Sequence, residues 1–164
     1  MSRVGTGWLA AGLVLALDQA SKAWILYGLD LPARGRVDLL PFFSLTFVRN
    51  TGVTFGLLGG LGAAAVWILA AVALGVVVAL FVWLRRAESR LVAVALGAIA
   101  GGAVGNVLDR LRFGWVVDFL HAHAGGYSWY VFNVADAAIV CGVAALVFDS
   151  LRTRRTVAAD AERG

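Results

Sequence analysis

The chain has 164 residues, of which 61% are hydrophobic and 15% are charged, with a formal net charge of +4. Soluble domains are roughly half apolar and a quarter charged, so this composition argues against a water-soluble domain. The positive charge does not indicate nucleic-acid binding, because the arginines lie at the ends of apolar runs, where membrane orientation and anionic lipid explain them. We expect one integral-membrane domain over residues 1–164, with about four crossings.

Four apolar runs predict four transmembrane helices. In chain order, the predicted spans are residues 7–27, 61–84, 91–108 and 131–151. The first run follows a basic residue, as a signal peptide does, but its length and its charged Asp18 and Lys22 favour a retained helix. The third run has a doubled small-xxx-small pattern, which lets helix backbones approach closely. Its members are Gly97, Gly101, Gly102 and Gly105.

The distribution of arginines predicts the orientation of these helices. Arg85, Arg86 and Arg90 lie between the second and third runs, and Arg152, Arg154 and Arg155 follow the fourth. By the positive-inside rule these ends are cytoplasmic, which also places both termini in the cytoplasm. Residues 28–60 and 109–130 are then outer segments.

The first outer segment is predicted to be rich in β-strand. Residues 37–48 are full of β-branched and aromatic side chains, and Asn50-Thr51-Gly52 follows as a turn signal. We therefore expect a helical membrane protein with a small β-rich extracytoplasmic cradle. Four glycines would give the segment enough mobility to shield a site. They are Gly52, Gly56, Gly59 and Gly60.

Placing an ionisable side chain at membrane depth costs free energy, so each such residue is expected to have a partner or a function. Five cluster near the outer boundary: Asp18, Lys22, Asp109, Asp118 and Asp136. Asp18 and Lys22 are spaced i, i+4 and can form an ion pair, for which a structural role is sufficient. Asp109 and Arg110 end the predicted third helix. They can pair with each other, or Arg110 can hold a lipid phosphate or a carbonyl oxygen.

Asp118 and Asp136 are harder to explain structurally. They flank the point where the chain leaves by the third helix and re-enters by the fourth, so they can meet at one depth. Two adjacent carboxyls share one proton: the ionised group activates water and the protonated group donates to a carbonyl oxygen. This arrangement suits an aspartic peptidase, while a proton or cation relay in a small transporter or channel subunit is the alternative.

Four ordered sequence blocks resemble the bacterial lipoprotein signal peptidases, or signal peptidase II. The first is Asp18-Gln19-Ala20-Ser21-Lys22, and the second is Asn50-Thr51-Gly52-Val53-Thr54-Phe55-Gly56. The third, Gly105-Asn106-Val107-Leu108-Asp109-Arg110, is followed by Gly114, Val116, Asp118 and Phe119, and the fourth is Phe132-Asn133-Val134-Ala135-Asp136. Thr54 departs from the family's usual small apolar residue or serine.

The resemblance implies that Asp118 and Asp136 are the catalytic dyad of an intramembrane aspartic endopeptidase. The expected substrates are diacylglyceryl-modified prolipoproteins, and the expected inhibitor is the cyclic peptide globomycin. The residues expected to contact substrate or lipid are Asn50, Gly52, Asn106, Asp109, Arg110 and Asn133. We expect a monomer in the bacterial cytoplasmic (inner) membrane, with its active site at the outer face.

The resemblance also implies that no metal or organic cofactor takes part. His121 and His123 are spaced i, i+2 in the second outer segment, which is not a zinc-ligand pattern, and we expect both to be solvated. A second alternative is a structural assembly protein packed through its glycine-rich third helix. It predicts that Asp118 and Asp136 are dispensable.

Overall fold

The structure is a computed structural model that describes residues 1–52 and 63–161. The roles expected for Thr54, Gly56, Gly59 and Gly60 concern positions outside the described residues.

Four long helices dominate the described part of the chain, and each is long and apolar enough to cross a membrane. The helices, with one short helix between the first two, are α1 Arg3–Ala23 with a π-helical extension over Trp24–Gly28, α2 Leu31–Arg34, α3 Ala63–Leu84, α4 Arg90–Phe113 and α5 Val134–Ala161. The predicted fold class, a helical membrane protein with a small sheet, is confirmed.

Helix α4 lies at the centre and packs against α1, α3 and α5. Its glycines explain the close approach: a Cβ at Gly97 would collide with the Gly7 carbonyl, and one at Gly101 with the Ala11 carbonyl. In α4, successive glycines therefore form a groove for α1, and the two helices run parallel. This is the contact that the small-xxx-small pattern predicts.

Among the helix bounds that differ from the predicted spans, two affect the site. Helix α4 continues past Leu108 to Phe113 and ends at Gly114, whose φ of +78° is the left-handed conformation that terminates many helices. Asp109 therefore lies inside α4. Helix α5 starts at Val134, later than predicted, because Phe132 forms a β-bridge with Leu120.

The outer segments form a four-stranded antiparallel sheet in the order β1-β2-β3-β4. The strands are β1 Arg36–Leu40, β2 Phe43–Asn50, β3 Val116–Ala124 and β4 Tyr127–Ser128. The pairing of β2 with β3 joins the two outer segments and sets Val48 opposite Asp118. A buried apolar cluster fixes the sheet to the helix ends; its members are Ile25, Leu31, Leu45, Val117 and Phe119.

Candidate active site

Asp118 and Asp136 meet where β3 passes the start of α5. Asp118 is near the beginning of β3 and is 1% exposed. Asp136 is in the first turn of α5 and is half-buried. The structure thus brings together two carboxyl groups that the sequence separates by a helix end, a strand and a loop.

Asn133 joins the two carboxyl groups. Its Nδ2 donates to Asp118 Oδ1 at 2.7 Å, and its backbone N–H donates to Asp136 Oδ2 at 3.1 Å. The Asp136 N–H donates in return to Asn133 Oδ1 at 2.9 Å. This reciprocal pair is a capping box, which begins α5 and holds the Asp136 carboxyl at the helix N-terminus.

Two further asparagines complete the hydrogen bonding. Asn50 Nδ2 donates to Asp118 Oδ2, and Asn106 Nδ2 donates to Asp136 Oδ1, both at 2.8 Å. The Asn50 amide is held in turn by the Gly52 N–H, which donates to its Oδ1 at 2.8 Å. Each oxygen of the two carboxyl groups therefore accepts a hydrogen bond from one of the described residues.

Burial of Asp118 raises the pKa of its carboxyl from 3.8 to about 6. The hydrogen bonds from Asn50 and Asn133 oppose this rise, and the charge of Asp136 adds to it. Since the two carboxyl groups interact, their titrations are coupled. A carboxyl with this pKa keeps its proton far more readily than an exposed aspartate does.

A buried polar cluster lies directly behind the two aspartates. Lys22 Nζ lies 2.8 Å from Asp18 Oδ2, 2.8 Å from Asp109 Oδ2 and 3.1 Å from Asn106 Oδ1. The predicted Asp18–Lys22 ion pair is present, and Lys22 is only 3% exposed. A Cβ at Gly105 would collide with Asp18 Oδ2, so this glycine makes room for the pair.

The cluster also fixes the backbone beside each aspartate. Asp109 Oδ2 accepts the N–H of Val117, and Asp18 Oδ1 accepts the N–H of Ala135, both at 3.0 Å. These N–H groups immediately precede Asp118 and Asp136 in the chain. The positions of the two carboxyl groups are therefore coupled to one buried ion cluster.

This geometry differs from the substrate contact that we expected for Asp109. Its side chain is 1% exposed, and its Oδ1 accepts a hydrogen bond from Gln19 Nε2 at 3.1 Å. Its Oδ2 faces Lys22, so Asp109 pairs with that residue and not with Arg110. The carboxylate is enclosed because α4 continues beyond it to Phe113.

Arg110 lies on the side of the site nearer Gly52 and is half-buried. Its Nη1 donates to the Asn106 carbonyl at 3.3 Å, while its buried Nε has no hydrogen-bond partner among the described residues. The guanidinium also interacts electrostatically with Asp136 and Asp118. It is a positive group next to the aspartates with one donor, Nε, left without a partner in the part of the chain that the structure describes.

A cavity of about 550 Å³ opens beside Asp118 between the end of β2 and the β3–β4 hairpin. Its lining includes Arg49, His121 and Trp129. A larger groove of about 870 Å³ lies further along the hairpin and is lined by aromatic residues, but neither aspartate is part of its described lining. We assign the chemistry to the smaller cavity, because it reaches a carboxyl group.

Both histidines, which we expect to be solvated, are partly exposed and also form contacts within the sheet. His121 is half-buried, with Nδ1 3.0 Å from Thr46 Oγ1 and Nε2 2.6 Å from Ser128 Oγ. Burial lowers its pKa, and the nearby His123 and Arg36 lower it further. His123 Nε2 lies 3.1 Å from Arg36 Nη2.

A family model described as signal peptidase (SPase) II matches residues 10–152 of the chain. The chain belongs to the signal peptidase II family. It is 54% identical over 155 residues to the lipoprotein signal peptidase of Methylorubrum extorquens (strain PA1), covering 93% of this chain and 89% of that protein. It is 51% identical over 144 residues to that of Beijerinckia indica subsp. indica, covering 88% and 86%.

Solved structures agree with this membership. A bacterial membrane enzyme determined by the in meso method at 1.9 Å resolution superposes with a TM-score of 0.72 at 30% identity. The match covers 90% of this chain and 93% of that enzyme. A second, at 2.3 Å resolution, has a TM-score of 0.71 at 30% identity, covering 90% and 88%.

Two kinds of contact in this member of the signal peptidase II family could not be predicted from its sequence: a side-chain bond between distant helices, and bonds from backbone N–H groups to carboxylates. The bond from Lys22 to Asn106 and the carboxylate contacts to the Val117 and Ala135 N–H groups join elements far apart in the chain. The sequence does contain one indication of these contacts. Burying a lysine costs free energy, so Lys22 needs more hydrogen-bond and ion-pair partners than Asp18 alone.

Proposed function

We propose that this chain removes the signal peptide from diacylglyceryl-modified prolipoproteins as an aspartic endopeptidase, with Asp118 and Asp136 as its catalytic dyad. Membership of the signal peptidase II family makes it a protease of lipoprotein precursors. The observation that carries the aspartic mechanism is the Asn133 bridge, which holds two carboxyl groups against each other. One of them has a pKa raised to about 6.

The dyad carries out hydrolysis by sharing one proton. The ionised carboxyl takes a proton from a water molecule as the water oxygen attacks the scissile carbonyl carbon. The protonated carboxyl donates to the carbonyl oxygen and forms a tetrahedral intermediate. Collapse of the intermediate breaks the C–N bond, and a proton passes to the leaving amine, which becomes the new N-terminus.

The remaining polar residues suit substrate binding and alignment. Arg110 lies beside the dyad, and its Nε, which has no partner among residues 1–52 and 63–161, fits a substrate carbonyl or a lipid phosphate. Asn50 and Gly52 stand where β2 ends and so border the cavity next to Asp118. We assign Asn133 to holding the dyad together, in addition to any contact with substrate.

The site belongs at the outer face of the bacterial cytoplasmic (inner) membrane. The dyad is at the end of α4 opposite Arg85, Arg86 and Arg90, which the positive-inside rule assigns to the cytoplasm together with both termini. A lipid-anchored signal peptide would reach the dyad by lateral movement, as a monomeric enzyme allows. Globomycin would compete for the same cavity.

The transporter alternative has less support. A relay across the membrane requires ionisable groups at several depths. Helix α3 contains none from Ala63 to Leu84, and the acidic groups of α1, α4 and α5 at the dyad end gather at one depth.

A gel-shift cleavage assay tests the proposal. Purified enzyme is incubated with a diacylglyceryl-modified prolipoprotein and with the same protein lacking the lipid. We expect a faster-migrating product only from the lipidated substrate, and none with Asp118→Asn or Asp136→Asn. Asp38→Asn, the same substitution at an exposed aspartate of β1, is the matched control and should cleave normally. Cleavage by either dyad variant at the rate of this control would overturn the assignment.

A further inference from the structure

The orientation of the Asn106 amide is fixed by Lys22. An asparagine amide can be turned so that its oxygen and nitrogen exchange places, and only its partners decide which way it points. The Lys22 ammonium has donors and no acceptor, so the atom it meets at 3.1 Å must be Asn106 Oδ1. The Asn106 nitrogen is therefore obliged to donate to Asp136.

The other two amides are fixed in the same way. Asn133 Oδ1 accepts the N–H of Asp136, and Asn50 Oδ1 accepts the N–H of Gly52. A backbone N–H cannot accept, so both amide nitrogens must face Asp118. The two carboxyl groups thus receive donors whose direction the protein has fixed in advance.

These donors are not equivalent. Asp118 is buried and receives amides whose oxygens are bound by neutral N–H groups. Asp136 receives an amide whose oxygen is bound by an ammonium, which polarises the amide and strengthens its donor. Asp136 also accepts the Asn133 N–H at the N-terminus of α5, where the helix dipole favours a negative charge.

We propose that Lys22 is a positioning residue for the hydrolysis: through Asn106 it orients and polarises the amide that keeps Asp136 ionised, which leaves the shared proton on Asp118. Asp136 is then the group that activates water, and Asp118 the group that donates to the carbonyl oxygen. This inference rests on the proposed dyad. It also gives Asn106 a role in holding Asp136, beyond the substrate contact expected from the sequence.

Other charges act on the same carboxyl group and must be separated from the effect of Lys22. Asp136 interacts electrostatically with Arg110 of α4 and Asp118 of β3. Behind it lie Asp18 and Lys22 of α1 and Asp109 of α4, and the charge of Lys22 also lowers the pKa of Asp118. Lys22 does not contact Asp136 directly, and its donors go to Asp18, Asp109 and Asn106. Asn106 is therefore the position at which its influence can be interrupted.

The test uses Asn106→Leu, because removing Lys22 itself would leave two buried carboxylates without their cation and threaten folding. Leucine has a similar size and no amide, so it breaks the connection to Asp136 while Lys22 stays between its carboxylates. It also removes the Asn106 Oδ1 that accepts from Asn133 Nδ2 at 3.1 Å, but Asn133 keeps its bond to Asp118. The matched control is Gln19→Leu. Gln19 Nε2 donates to the carboxylates of Asp18 and Asp109, and within the described part of the chain it forms no hydrogen bond with Asn106 or Asp136.

The readout is the pH profile of kcat/KM, which reports the ionisations of the free enzyme. Loss of a donor disfavours the ionised form of the carboxyl group that it bonds, so the acidic limb of Asn106→Leu should move to higher pH by about one unit. The alkaline limb should move less, because Asn50 and Asn133 still donate to Asp118 in this variant. Gln19→Leu should show both limbs where the wild type has them, whatever its thermal stability.

Two results would overturn the inference. One is a raised KM for Asn106→Leu with both limbs unmoved, which makes Asn106 a substrate contact. The other is an equal loss of thermal stability in Asn106→Leu and Gln19→Leu with neither pH profile shifted. In that case Asn106 would contribute only to packing. Both results can be told apart from a failure of the proposed function. If the proposed function fails, Asp118→Asn or Asp136→Asn would still cleave the lipidated prolipoprotein.

Asn106→Asp keeps the experiment decisive if Asn106→Leu does not fold. Its carboxylate still accepts from Lys22, but it turns an oxygen toward Asp136 in place of a donor. We expect the acidic limb to move to higher pH, as in Asn106→Leu. An acidic limb at the wild-type position in this variant overturns the inference as well.

Discussion

Asp118→Asn should make the folded protein more stable at neutral pH while it removes activity. Burial raises the pKa of Asp118 from 3.8 to about 6, so the folded state holds the proton more tightly than the unfolded chain does. The stability that this proton contributes is present in full below about pH 4 and is lost as the pH rises through about 6. Because asparagine is neutral at every pH, Asp118→Asn does not lose this stability as the pH rises.

The size of the effect follows from the pKa difference. About 2 pKa units correspond to about 3 kcal/mol of unfolding free energy. Part of this gain is offset, because the new amide nitrogen would face one of the donors from Asn50 and Asn133, at a cost of about 1 kcal/mol or more. That cost does not change with pH, so the pH dependence of the difference between variant and wild type isolates the carboxyl group.

The assay is thermal unfolding of both proteins in the same detergent between about pH 4 and about pH 8. At about 2–4 °C per kcal/mol, the Tm of Asp118→Asn should rise relative to wild type by about 6–12 °C across this range. His121 and the other titrating groups are common to both proteins. A Tm difference that stays constant with pH, or that falls as the pH rises, would refute the raised pKa.

Further expectations concern packing, recognition and metal. Gly105→Ala should lower the unfolding free energy by about 1–3 kcal/mol, because the new methyl group would collide with Asp18 Oδ2. Gly12→Ala is the control: its methyl group meets open space, so the unfolding free energy should not fall. Thermal unfolding of the two variants measures the difference. Arg110→Lys should raise KM for a lipidated peptide with a smaller loss in kcat, since an ammonium lacks the guanidinium fork, and unchanged KM and kcat would remove Arg110 from the site. Chelator should leave cleavage unchanged, and activity lost in chelator and restored by zinc would count against the dyad.

The sequence predicts the helices and the dyad because both depend on strong, local signals. Apolar runs of about 20 residues are long enough to cross a bilayer, and α3 lies within its predicted span. The apolar part of α5, Val134–Arg152, nearly coincides with its own. The high cost of a charge at membrane depth pointed to Asp118 and Asp136 before any contact was known. The resemblance to signal peptidase II, carried by four short blocks, selected the same two residues.

The rest depended on contacts between distant parts of the chain. The pairing of β2 with β3 joins segments that the sequence presents as separate, and it is this pairing that brings Asn50 to Asp118. The role of Asp109 was misjudged because its local neighbour Arg110 looked like its partner, while its actual partner, Lys22, lies on another helix.

The most direct test of the dyad is a single-turnover experiment with Asp136→Asn, in which binding and cleavage of a lipidated prolipoprotein are measured in the same sample. Asparagine keeps the size of the side chain and its bond to Asn133, but it cannot take a proton from water. We predict substrate binding close to that of the wild type and a cleavage rate lower by about a thousandfold or more. A cleavage rate within about tenfold of the wild type, at equal binding, would contradict the account.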